Sequence, residues 1–296
     1  MTSPGRGEAI QAVQAIRWLH DEVGARLSAC GHKPAPGSRA ADELTNFSHP
    51  ESIATVYSQG GLLIEVAADH LMALVKNCTE PVETIAPWTS VRGEVEAAAL
   101  AVWLFDPSID GEERVQRSLA FRYEGQVQQV RFLRAIGSTL DMAKALARLD
   151  QIEKDALERG YPPVVDRKGK RSGIGQRMPS MTDLVTSVLD AESKYRLLSA
   201  MAHAHPWAIH QLGFRKVTGK RIFLTEKPGA ETTTQALEKN LSLTAVVYLS
   251  TIAAKLFVRP IESKCQLFGW DTDQFQGILG SALNRIGLSM QDTRRA

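Results

Sequence analysis

The side chains best equipped for chemistry crowd into one stretch, Tyr195-Arg196-Leu197-Leu198-Ser199-Ala200-Met201-Ala202-His203-Ala204-His205-Pro206-Trp207. A helix advances 3.6 residues per turn, so Arg196, Ser199 and His203 form one polar stripe over two turns, which Glu192 extends by another. Histidine exchanges protons near neutral pH, and arginine offers a planar donor fork to phosphate or carboxylate. Such a stripe could hold a base beside an anion-binding cation.

Three further polar residues stand in apolar helical patterns. His70 shares a face with Leu63, Val66, Ala67 and Leu74, which places it inward, bonded to a carbonyl or carboxylate. Arg92 and Glu96, four apart, open a stretch to Phe105 that is apolar all round. Glu96 is therefore expected to be buried and paired with Arg92, or with Arg114, Arg117 or Arg122. His203, His205 and His210 lie close in sequence, and Glu65 and Asp69 stand four apart elsewhere. No Glu-x-x-His pair accompanies them and Pro206 interrupts the helix, so no metal site is expected.

The elements that must carry these residues are mostly helical. Apolar periodicity predicts helices over about 8–29, closed by Gly31, then 51–77, 91–105, ended at Asp106-Pro107, and 110–136. Ser138 and Asp141 read as a capping box for a helix running to Gly160. Residues 37–50 have loop composition. Residues 161–179 combine prolines, glycines and the basic Arg167, Lys168, Lys170, Arg171 and Arg177, and read as an exposed basic loop. After the Tyr195 helix, 214–225 alternates as a β-hairpin turned at Thr218-Gly219 and made basic by Arg215, Lys216, Lys220 and Arg221. Helices over 231–258 and 273–286 complete the chain. The expected fold is mainly α, a helical bundle with one small β-hairpin insertion. It divides into an N-terminal half (1–160), the basic loop (161–179) and a C-terminal half (180–296), packed as one domain around the helices of 51–105.

Composition removes some classes. The 296 residues suffice for a substantial core, and a net charge of +2 carries no nucleic-acid signature unless it is concentrated locally. The odd, scattered Cys30, Cys78 and Cys265 suggest neither a disulfide framework nor a zinc site, and fit a reducing cytoplasm. The start of the chain has no apolar run typical of a signal peptide. Leu241 to Val258 reaches the length of a membrane span but contains Ser242, Thr244, Ser250, Thr251 and Lys255, and reads as a buried core helix. There is no P-loop, G-x-G-x-x-G, H-E-x-x-H or G-x-S-x-G.

The Arg196 to His203 spacing, on a helix with Tyr195 and Ser199, resembles the Arg-x4-6-His motif of HEPN domains, helical bundles found in RNA-cleaving toxins and defence proteins. Val91-Arg-Gly-Glu-Val-Glu96 upstream is similar to uncharacterised bacterial proteins of HEPN-like fold. Where family members commonly carry a polar residue after the arginine, Leu197 stands here. The resemblance implies RNA as partner, a homodimer, no cofactor, and metal-independent cleavage with Arg196 and His203 as catalytic pair. Tyr195, Ser199 and His205 would orient phosphate, and Lys168, Lys170, Lys220 and Arg221 would hold the strand. Two other readings stand beside it: a non-catalytic helical interaction protein, and a small-molecule or metal enzyme using the histidine cluster.

Overall fold

The computed structural model describes residues 5–169, 171–221, 232–239 and 241–288, with 214–221 and 232–239 described by their backbone alone. Among them the chain is mainly α, with helices α1 (Arg6–Cys30), α2 (Arg39–Asn46), α3 (Pro50–Asn77), α4 (Ala86–Phe105), α5 (Gly111–Ala135), α6 (Thr139–Glu158), α7 (Met181–Leu189), α8 (Glu192–Ala202), α9 (Pro206–Ala208), α10 (Leu243–Phe268) and α11 (Thr272–Ile286).

Local chemistry sets the ends of these helices. Asp110 and Ser180 accept hydrogen bonds from the backbone N–H groups of Glu113 and Asp183, satisfying donors that the first turn leaves free. Gly31 closes α1 at φ +76°, a left-handed conformation that disfavours any residue with a Cβ. Ser138 caps α6 differently from expectation, since its hydroxyl donates to the Asp141 carboxylate at 3.0 Å and receives no backbone N–H.

Helix α4 is the axis of the molecule. Its residues from Ala97 to Phe105 are all buried, enclosed by α3, α10, α7 and α8. A helix apolar on every side requires such neighbours, because each buried aliphatic or aromatic side chain contributes about 1.5–3 kcal/mol over exposure. The approach to α3 is close: a Cβ at Gly60 would overlap the Phe105 ring, and one at Gly93 would overlap the His70 imidazole. His70 therefore packs edge-in against α4 and is half-buried. Tyr57, Phe105, Phe268 and Trp270 form a chain of aromatic contacts at one end of α4. Helix α10 is long and apolar enough to cross a membrane by composition, yet 67% of its most apolar window is buried inside the protein, as the core-helix reading requires.

Three local expectations are corrected. Residues 39–46 form helix α2, not a loop, because Ser38 caps it and Glu43 and Ala40 are drawn into the core. The 161–179 segment contains a short antiparallel hairpin, β1 (Pro163–Val165) with β2 (Arg171–Ile174), docked on α5 and tied to α6 by an Arg171–Glu153 ion pair. The second hairpin pairs β3 (Phe214–Arg221) with β4 (Thr232–Lys239), so it runs well beyond 225. Thr218 and Gly219 lie in mid-strand opposite Gln235 and Thr234, and the helix expected from 231 starts only at Leu243. Thr232-Thr-Thr is β-branched, and cross-strand pairing overrides the weak helical pattern there.

Helices α5 and α6 join the main core through Leu119, Tyr123, Ile152 and Ala156 and extend beyond it as an arm. Their distal halves share a small satellite core of Val130, Leu133 and Ala145. At the tip Phe132, Ile136 and Leu140 are 61%, 59% and 70% exposed.

Candidate functional site: an arginine–histidine contact between two helices

Helix α8 lies against α4 through Tyr195, Leu198 and Met201, all buried. Its C-terminus is built by backbone chemistry. The N–H of Ala204 reaches Met201 O at 3.2 Å and that of His205 reaches Ala200 O at 2.9 Å, the paired bonds of a Schellman motif. That motif requires a left-handed residue, here Ala204 at φ +56° where glycine is the usual choice. Strain of this kind costs on the order of 1–2 kcal/mol. Its result is that His203 caps the helix with its ring exposed, and Pro206 restarts the chain as α9, followed by a π-helical turn over Ile209–Gly213.

Across the helix interface stands Arg92. Its Nη1 lies 3.1 Å from His203 Nε2, and its Nε lies 2.9 Å from Glu96 Oε1. The Tyr195 hydroxyl donates to the same Glu96 oxygen at 2.8 Å, and the Arg92 guanidinium sits 5.9 Å from the Tyr195 ring centroid. Four residues from two helices thus form one cluster. Guanidinium has only donors, so the contact with His203 requires an unprotonated Nε2 and places the ring proton of the neutral imidazole on Nδ1. Burial alone would lower the Arg92 pKa, but the Tyr195 hydrogen bond and the Glu96 charge outweigh it and raise it. Burial and the Glu96 hydrogen bond raise Tyr195 in turn, keeping the phenol protonated.

The residues singled out from sequence fall into three groups. Arg92, Glu96, Tyr195 and His203 come together. Arg196 does not join them: its side chain is 66% exposed and bonds to Glu192 one turn back at 2.8 Å. The cation beside His203 is therefore Arg92. Ser199 is half-buried on the same helix and His205 is exposed at the start of α9. Lys168 is exposed in the β1–β2 turn, and none of the bonds that fix that hairpin reaches α8 among the described residues. Lys220 and Arg221 belong to β3 by backbone, opposite Thr233 and Thr232, but their side chains and the whole of Lys170 lie outside the described residues. Among the described residues no three His, Cys, Asp or Glu side chains converge as metal ligands would.

Glu96 departs from expectation in one respect. It is ion-paired with Arg92, but its side chain is 29% exposed at the contact of α4 with α8 rather than buried in the core. The buried carboxyl of α4 is Glu94, at 0% exposure, with neither oxygen hydrogen-bonded. Desolvation raises its pKa well above 4.5. The buried arginine that sequence spacing offered to Glu96 is engaged elsewhere. Arg114 is wholly buried and binds Glu43 of α2 at 3.2 Å, together with the carbonyls of Leu104, Asp106 and Ile109. Arg39 and the Tyr57 hydroxyl complete the shell around Glu43.

Comparison with known protein families, curated proteins and solved structures returns no significant match to this chain.

Proposed function

We propose that the surface where α4 meets α8 binds single-stranded RNA and cleaves it without a metal ion, in the manner of a HEPN-like ribonuclease, with Arg92 in the place expected of Arg196. The observation that carries this reading is the exposed His203 ring held 3.1 Å from a guanidinium that Glu96 and Tyr195 brace from behind. RNA supplies its own nucleophile in the 2′-hydroxyl. A phosphate docking beside His203 draws the Arg92 donors onto its oxygens and frees His203 Nε2 to take the 2′-hydroxyl proton. The 2′-oxygen attacks phosphorus, Arg92 stabilises the charge that builds on the phosphorane, and the 5′-oxygen leaves with the proton carried by the imidazolium. The products are a 2′,3′-cyclic phosphate and a 5′-hydroxyl. Arg196, Ser199, His205 and the exposed Trp207 surround His203 in sequence and supply charge and a stacking face for the strand. A second copy of the chain would add a second histidine, so a homodimer belongs to the same proposal.

The test is fluorescence anisotropy with a labelled single-stranded RNA at low salt. Wild-type protein is expected to bind with an affinity that falls as salt rises, and Arg92→Ala to weaken binding about tenfold. Absence of binding at low salt removes the RNA reading. One observation then favours an interaction protein: the exposed Phe132, Ile136 and Leu140 at the tip of the α5–α6 arm, an apolar patch of the kind that marks contact surfaces.

A further inference from the structure

A cleft of about 760 Å³ lies between α1, α3 and the C-terminal half of α10, beside the aromatic chain at the end of α4, from which Tyr57 and Phe268 line it. Its volume is that of a small-molecule site. Val23, Leu62, Phe257 and Phe268 give it apolar walls, with Leu62 largely exposed at its mouth. Two helical glycines also line it, Gly24 of α1 and Gly61 of α3, and a Cβ at either would meet no protein atom within 4 Å. Glycine inside a helix costs about 0.8–1 kcal/mol relative to alanine. At these two positions it leaves the walls open.

One ammonium lines the cleft among the described residues, together with the Glu65 carboxylate and the His20 and His32 rings. The Lys264 ammonium rests over the rings of Phe268 and Trp270, at 5.3 and 5.1 Å from their centroids. No carboxylate lies within 4 Å of it among the described residues, and its three donors have no hydrogen-bond partner there. Burial lowers its pKa from the ordinary lysine value, with the Cys265, Glu65 and Cys30 groups pulling partly the other way. A partly desolvated ammonium with free donors beside apolar walls attracts an anion with an apolar body.

We propose that this cleft is a binding site for a small molecule with one carboxylate head and an aliphatic or aromatic body, the carboxylate on Lys264 and the body between α1 and α3. The site stands apart from the Arg92–His203 contact, and neither depends on the other. Octanoate is the probe, with octanol and octylamine as neutral and cationic counterparts of the same chain length, titrated calorimetrically into the full-length protein. Octanoate is expected to bind at least about tenfold more tightly than octanol, and octylamine not to bind. Lys264→Met, which keeps a flexible chain against the two rings, should bring octanoate down to the level of octanol. Gly61→Leu, which fills the cleft while leaving Lys264 in place, should remove binding of both and preserve the circular dichroism spectrum. Equal affinity for octanoate and octanol in the wild-type protein overturns the proposal even if a variant fails to fold. So does the absence of octanoate binding, or undiminished octanoate binding to Gly61→Leu.

Discussion

Replacing Glu94 by Gln removes a titratable group from the centre of the molecule while preserving its shape. The wild-type carboxyl is fully enclosed, has no hydrogen-bond partner and titrates well above 4.5 because burial penalises its charged form. The folded state therefore holds this proton more tightly than the unfolded chain does. The resulting contribution to stability is complete below the ordinary carboxyl pKa and is lost as pH rises towards the folded value. Within that window the loss amounts to about 1.4 kcal/mol for each pH unit. Glu94→Gln cannot titrate, and every other group is common to both proteins, so the difference between their stabilities isolates Glu94. Urea unfolding followed by far-UV circular dichroism should give nearly equal stabilities at about pH 4.5. The variant should become more stable by about 1 kcal/mol over the next pH unit. Glu94→Met, apolar and of similar volume, should exceed the wild type at neutral pH by about 1–3 kcal/mol, since it also removes the unpaired polar group. Parallel pH profiles for wild type and Glu94→Gln would instead show that the carboxyl finds water or a partner.

Further outcomes follow from the same physics. Glu43→Ala strands the wholly buried Arg114 and should cost about 3–5 kcal/mol in urea unfolding. Glu96→Ala opens a partly solvated ion pair and should cost only about 1–2 kcal/mol while releasing Arg92 and Tyr195. Equal losses at the two positions would contradict the assignment of Glu43 as the buried partner. Ala204→Gly relieves the left-handed strain that ends α8 and should raise stability by about 1 kcal/mol, read as a higher melting temperature. A drop in that temperature would mean that the Schellman turn is not formed.

Much of the helical framework was legible because apolar periodicity, proline and glycine act locally. The ends of α3 fall within a residue or so of the expected span, and Gly31 closes α1 where it should. Helix α2 was hidden for a tertiary reason: a short polar segment is drawn in by Arg114, which lies 71 residues away in the chain. The longer β3–β4 ladder was hidden because its strands are separated by residues that carry no Asn-Gly signal, and pairing partners are not written in local composition. At the candidate site, sequence correctly put Arg92 beside Glu96, since a four-residue spacing fixes that contact. It could not show that α8 packs with Tyr195 against Glu96, which turns Arg92 rather than Arg196 towards His203. Glu94 and Glu96 stand two apart on one helix and so point about 200° apart. Only one of them can meet Arg92, and the other is the residue buried without a partner.

We propose that His203 and Arg92 cleave RNA through its own 2′-hydroxyl. This is tested most directly by incubating purified protein with an end-labelled single-stranded RNA in EDTA and resolving the products by mass. A matched strand carrying a single 2′-deoxy nucleotide at each cleavage position serves as control. Fragments ending in 2′,3′-cyclic phosphate are expected, with no cut at the deoxy positions and with loss of cleavage in His203→Ala while binding is retained. Cleavage at the deoxy positions, activity that disappears with EDTA, or unchanged cleavage by His203→Ala would contradict it.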